Sequence, residues 1–312
     1  MMWKSNTSFL AEVPVQFAWD STSIGTFKRC PKLYYWTMVL GLQSSQESVH
    51  LKFGLVYHKA LETFDHFRSR GATWEEARLA AIRCCLEETW DATLNRPWQS
   101  FDPNKNRRTL VRTVVWYLEQ FREDSITTIQ LANGKPAVEL SFRFEIDRKT
   151  LDGSRNLLCG HFDRFGIFCD QPYVIDRKTT KHALNDQYFA GYTPHNQFSL
   201  YTFAGQHVYK VPVKGVIVDA AQILVNSSVF ARREVCRTEA ELEEWYKDLG
   251  MFLDFAESCA VENHWPKNEN ACGDFGGCSF RELCSVAPNL AKHLTGKWKR
   301  RAWDPLVARG DI

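Results

Sequence analysis

The run Val174-Ile175-Asp176-Arg177-Lys178-Thr179 decides how this chain is read. An apolar, β-branched opening gives way to Asp-x-Lys. Strand alternation then puts Asp176 and Lys178 on one face. Upstream, Gly160-His161-Phe162-Asp163-Arg164 carries a second carboxylate in another apolar run. If Asp170-Gln171-Pro172 turns the chain between the two runs, Asp163 and Asp176 reach one point. Two carboxylates beside a lysine are costly unless something offsets the repulsion. A hard divalent cation bound through oxygen does so. A lysine next to that cation can orient or polarise a water, which is the equipment of metal-assisted phosphodiester hydrolysis. The plainer reading of Asp176-Arg177-Lys178 is a solvated strand end of alternating charge, so the rest of the chain must decide.

Working outward, residues 137–146 alternate Val138, Leu140, Phe142, Phe144 and Ile146 with polar neighbours, predicting a strand. Asp152-Gly153 marks a turn, and residues 157–169 and 173–178 read as two further strands. A helix is expected over about 185–207, then a hairpin of 213–226 and 229–236 around Asn226-Ser227. Thr238 caps a long helix with Leu242, Trp245, Leu249 and Phe252 on one stripe. Before the strands, residues 21–134 read helical. Ser21 or Ser23 caps a first helix that Pro31 must kink or split. Residues 55–70 carry helical spacing, Thr73 to Glu76 resembles a capping box opening a helix through Trp90, and 110–121 continue the pattern. The prediction is an α/β core with helices at both ends. Its divisions are a tail over 1–20, a helical region over 21–134, the core over 135–237, a helix and cysteine-bearing loops over 238–290, and a basic tail over 291–312.

The chain has 312 residues, 44% hydrophobic and 24% charged, which excludes a disordered, collagen-like or coiled-coil protein. No apolar run approaches the roughly 20 residues of a membrane helix. The first 20 residues lack the pattern of a secretion signal, so a cytoplasmic protein without membrane contact is expected. The net charge of +2 neither demands nor forbids a polyanionic partner. Ten cysteines in a reducing compartment are core residues, metal ligands or reactive thiols. Cys84, Cys85, Cys159, Cys169, Cys236 and Cys259 read as buried small hydrophobes. Cys272, Cys278 and Cys284 fall instead in a short Gly-rich stretch. His58 alone reads as an ordinary helical histidine. Gln197 and Tyr201, four residues apart, share a helix face.

Taken in order, these pieces resemble the RecB-like, AddB-like exonuclease branch of the PD-(D/E)XK nucleases. The matching segments are Cys30-Pro31-Lys32-Leu33-Tyr34-Tyr35; Gly54, His58, Leu61 and Glu62; Gly160, Asp163 and Arg164; Asp176, Lys178 and Thr179; Gln197 and Tyr201; and the final cysteine triplet. The resemblance implies a restriction-endonuclease-like mixed sheet flanked by helices. It implies that His58, Asp163 and Asp176 bind Mg2+ or Mn2+ and that Lys178 is the catalytic lysine. Gln197 and Tyr201 would contact DNA or support the site, and Glu139 would be a supporting or second-metal group. The implied activity is a metal-dependent DNA nuclease, an exonuclease on single strands or ends, in DNA processing, recombination or repair, with a helicase or recombination partner for unwinding.

Four thiolates can hold Zn2+ or an iron–sulfur cluster, and spacing alone favours neither. The resemblance implies a 4Fe–4S cluster on Cys30, Cys272, Cys278 and Cys284. That cluster would staple the C-terminal region to the first helix and close a loop of some 240 residues. Nucleic-acid contact is expected from the 297–301 basic run around Trp298 or from residues 105–108. Two other readings stand beside the nuclease. One is a non-catalytic DNA-end-binding or recombination partner protein. The other is a zinc-stapled protein whose cysteine region itself binds DNA.

Overall fold

The computed structural model describes residues 8–44, 48–210, 212–301 and 303–307. The chain divides into two compact units, each assembled from separate stretches of sequence. The first comprises Met1–Gln46, Ser141–Gly160 and Thr238–Ile312, and the second Glu47–Leu140 and His161–Arg237.

In the second unit, helices α2 (Val49–Ser69), α3 (Trp74–Glu88) and α4 (Arg107–Gln120) pack on one another. Their apolar faces share a core with Ala221, Ile223 and Phe230. The capping box at Thr73 is present, with Glu76 accepting from the Thr73 amide at 2.7 Å. The sheet is mixed. Strand β2 (Arg155–Phe168) runs antiparallel to β3 (Gln171–Thr180), which runs parallel to β4 (Gly215–Ile223), which pairs antiparallel with β5 (Ser228–Cys236). The β2–β3 turn is tighter than the sequence suggests. Cys169 and Asp170 both adopt positive φ, 47° and 58°, so two residues suffice and Pro172 already pairs with Ile167. A parallel β3–β4 pair needs a crossover. It is supplied by α5 (Asp186–Ala190) and α6 (Asn196–Tyr209), two helices where one was expected, because Pro194 cannot continue a helix interior.

In the first unit, α1 (Ser21–Arg29) is capped by Asp20, whose carboxylate accepts from Ser23 N at 2.8 Å, rather than by a serine. Pro31 does split the helix: it opens a separate short turn, Pro31–Tyr34. Trp19 stacks on Tyr34 at 5.3 Å between centroids, and Trp265 lies tilted against the same tyrosine at 5.4 Å. Thr238 caps α7 (Glu239–Val261) through a second capping box. Strand β1 (Val138–Lys149) brings Phe142 over Gly160 so closely that a Cβ there would lie 2.7 Å from the ring.

Two expectations are corrected. Cys169 and Cys236 are exposed rather than core residues, because Cys169 forms the β2–β3 turn and Cys236 is the last residue of β5. The basic run is no loose tail. Lys299 and Arg300 pair as a strand with Gln43 and Leu42, and the Trp298 ring stacks on Phe280 at 5.9 Å. The tail expected over 1–20 is described only from Ser8, and the side chain of Lys297 lies outside the described residues.

Candidate active site and cysteine cavity

The second unit brings its acids together by opening a strand pair. The β2–β3 ladder stops at Arg164 opposite Ile175, and the next pair in that register would be Asp163 opposite Asp176. There the side chain replaces the backbone, and Arg177 N donates to Asp163 Oδ2 at 2.7 Å. The other Asp163 oxygen lies 3.3 Å from His58 Nδ1, presented by α2. The Glu139 carboxylate joins them, and ligand atoms of His58, Glu139 and Asp163 lie within 4.8 Å of one another.

Glu139 reaches this point through its backbone. Alternation along β1 would turn it away from the side that Val138 faces. Its φ of +49° breaks the alternation, so Val138 and Glu139 are both buried. No sequence pattern marks that inversion, and Glu139 joins the cluster more fully than the supporting or second-metal role that the resemblance implies.

Asp176 stands beside this trio without belonging to it. Its Oδ2 lies 2.7 Å from Lys178 Nζ, an ion contact that lacks hydrogen-bond direction. Lys178 Nζ also donates to Gln197 Oε1 at 3.1 Å, and Gln197 Nε2 donates to Tyr201 OH at 3.0 Å. Gln197 and Tyr201, one turn apart on α6, thus form a relay behind the lysine. Tyr201 is buried against Phe162, 5.2 Å away edge to face, so it does not present itself to a ligand.

The electrostatics follow from burial and charge. Burial opposes ionisation of Asp163, but His58, Lys178 and the Arg177 amide outweigh it and hold the carboxyl below the usual range. For Asp176 burial wins, with Asp163 adding repulsion and Lys178 opposing both, and its carboxyl is pushed up to about 6. Burial likewise opposes charge on His58 and Lys178, yet the acids raise both above their ordinary values. Two neighbouring carboxylates with opposite shifts mark a candidate for proton and cation chemistry.

Lys105 differs from expectation. It is 4% exposed, donating to Thr179 Oγ1 at 3.3 Å, and is therefore no surface contact for nucleic acid. Sequence reading also passed over buried Arg177 and partly buried Asp65, a pair at 2.7 Å whose members lie in unremarkable local patterns.

In the first unit, Cys30, Cys272, Cys278 and Cys284 line one cavity of about 280 Å³, with Leu33, Trp36, Phe280 and Lys267. Gly276 and Gly277 adopt positive φ, 84° and 113°, which folds the chain back so that Cys278 N donates to Cys272 O at 2.9 Å. The Asn268 amide donates to Cys30 Sγ at 3.4 Å. Among the described residues no three thiols lie within 4.8 Å of one another.

Comparison with known proteins places this geometry. The family model of the PD-(D/E)XK nuclease superfamily matches residues 19–285. The chain belongs to that superfamily. Superfamily membership accounts for the mixed sheet with its flanking helices; nucleases of this superfamily use divalent metals, and the substrate that the family implies is DNA. Among solved structures, one from Eubacterium rectale, provisionally named an exonuclease, shares 10% identity, with 81% of this chain and 85% of that one covered and a TM-score of 0.47. The protein SSO0001 also shares 10% identity, covering 64% and 84%, with a TM-score of 0.27. No curated protein matches the sequence. Among the described residues no helix is long and apolar enough to cross a membrane.

Proposed function

We propose that this chain is a divalent-metal-dependent deoxyribonuclease that works as an exonuclease on DNA ends. The observation that carries the reading is the meeting of His58, Glu139 and Asp163 beside the Asp176–Lys178 pair. Oxygen and imidazole donors around buried negative charge suit Mg2+ or Mn2+. His58 and Asp163 would hold the ion, with Glu139 and Asp176 as further oxygen donors beside them. The bound ion supplies positive charge against the scissile phosphate and lowers the barrier to water attack.

The protein's own groups do the rest. Lys178, charged and held by Gln197, positions the attacking water. Tyr201 holds Gln197 in turn. Asp163, kept ionised by His58 and the Arg177 amide, stays ready as a ligand. A helicase or recombination partner would open duplex ahead of the enzyme.

The cysteines are proposed to hold a 4Fe–4S cluster, in the manner of the RecB-like branch. Four thiols line one largely apolar cavity, and the Asn268 N–H is aimed at the Cys30 sulfur. A zinc ion bound at about 2.3 Å would need its thiolates about 3.8 Å apart. Among the described residues no three of these sulfurs meet within 4.8 Å, so the thiolates would have to close in around a zinc ion.

One gel tests the activity. Single- and double-stranded DNA labelled at either end is incubated with Mg2+, Mn2+ or EDTA. Stepwise shortening from an end in the metal lanes alone is expected. Binding without cleavage would overturn the enzymatic reading in favour of a DNA-end-binding protein.

A further inference from the structure

We infer that Asp65 and Arg177 are a positioning pair that holds α2 so that His58 keeps its place against Asp163. The inference rests on the reading that these two residues bind the cation. Arg177 lies between Asp176 and Lys178 and contacts the site twice over. Its amide holds Asp163 at 2.7 Å, and its guanidinium holds Asp65 Oδ2 at 2.7 Å. Asp65 lies two turns after His58 on the same face of α2, because seven residues bring a helix round to within about 20°. The contacts therefore close a ring: His58 to Asp163, Asp163 to the Arg177 amide, and the Arg177 side chain to Asp65 on the helix that carries His58. Tethers at both ends of two turns fix how far the helix slides and how it rotates.

Stability does not explain the pair. Arg177 is 2% exposed, and its Nε and Nη1 make no hydrogen bond. A buried ion pair repays its desolvation poorly, and apolar replacements of similar size are often neutral or better. Arg177 also faces Asp219 and Tyr117, but Arg232 already pairs with Asp219 at 3.1 Å, so that acid keeps a partner without Arg177. What only Arg177 and Asp65 supply is the second tether.

The test reads Mn2+ binding directly, from the paramagnetic signal of free Mn2+, with thermal midpoints measured alongside. The double variant Asp65→Leu/Arg177→Met should melt within a few degrees of the wild type while its Mn2+ dissociation constant rises about tenfold, the effect typical of removing a ligand's supporting partner. Asp65→Glu should recover most of the affinity. In a His58→Ala background the double change should add nothing, because the pair acts through His58. Unchanged Mn2+ affinity in the double variant overturns the inference, as does a full-sized effect without His58. Should the double variant fail to fold, Asp65→Asn carries the same test, with weakened binding expected and unchanged binding overturning the inference. Wild-type protein that binds no Mn2+ would bring down the metal-site reading itself, whereas wild-type binding with an indifferent pair sinks only the positioning role.

Discussion

Asp163 accepts the Arg177 amide at 2.7 Å on one oxygen and meets His58 at 3.3 Å on the other. The carboxylate is therefore fully oriented before any ion arrives. Asp163→Ala and Asp176→Ala should each abolish Mg2+-dependent cleavage in the end-label assay, a fall of at least about a thousandfold if the metal is the main electrostatic catalyst. Without metal, the thermal midpoint of Asp176→Ala should hold or rise, since burial disfavours that carboxylate's charge. Substantial cleavage by either variant would refute the ligand assignment.

Lys178 touches Asp176 and Gln197, and the next link is Tyr201. Lys178→Ala should lose turnover yet bind DNA and Mn2+ as the wild type does. Gln197→Ala should lower kcat by roughly tenfold, the worth of one charge-assisted hydrogen bond, with KM little changed. A variant at Lys178 that cuts at a near wild-type rate would return the lysine to the status of a strand-end surface residue.

How much of this was legible in the sequence depends on range. Asp176 and Lys178 share a face because strand alternation is local, and the capping boxes at Thr73 and Thr238 are local too. Glu139 was not legible as a full partner, because its left-handed backbone reverses the alternation that the sequence advertises. Nor was the Asp65–Arg177 pair, whose members are 112 positions apart and join only when α2 meets β3. Lys105 looked like part of a basic surface run, and tertiary packing buried it beside Thr179.

Gly160 belongs to a motif, and its reason is steric. Phe142 occupies the space a side chain would need, with 2.7 Å left to a Cβ. Gly160→Ala should cost about 1–3 kcal/mol of unfolding free energy, the usual range for overpacking. Denaturant melts should show the loss shrinking when Phe142→Leu is added, because the smaller side chain vacates the clash. A neutral Gly160→Ala would mean that β1 gives way there.

Lys105 supplies a pH signature. Burial pushes its ammonium down to about 8, with Lys181 lowering it further and Asp102 opposing. The unfolded chain keeps that proton to about 10.4. Between pH 8 and 10 the unfolded state therefore binds more protons, and stability gains from this group as pH rises. The gain is at most about 3 kcal/mol for a shift of this size. Lys105→Met should remove this rise, so urea midpoints of the two proteins should differ by a pH-dependent amount across that window. A constant difference would show that Lys105 titrates normally.

The cysteine cavity makes the most visible prediction. Cys30 and Cys278 line the same space although they are far apart in the chain. Freshly purified protein should be brown and should carry about four irons and four sulfides per chain. A cluster left with three thiolates exposes an iron and is readily lost. Cys30→Ala should therefore bleach the protein as fully as Cys278→Ala does. Cys84→Ala should keep its colour, because Cys84 packs in the helical core of the second unit. Loss of the cluster also removes the cross-link between the start and the end of the first unit. The two colourless variants should accordingly melt earlier than Cys84→Ala and be cut first by protease within residues 266–300, where the helices are eight residues or shorter. One zinc per colourless wild-type chain would replace the cluster with a zinc site and keep the cross-link. Full colour in Cys30→Ala would exclude Cys30 from the ligand set, and with it the proposed clip.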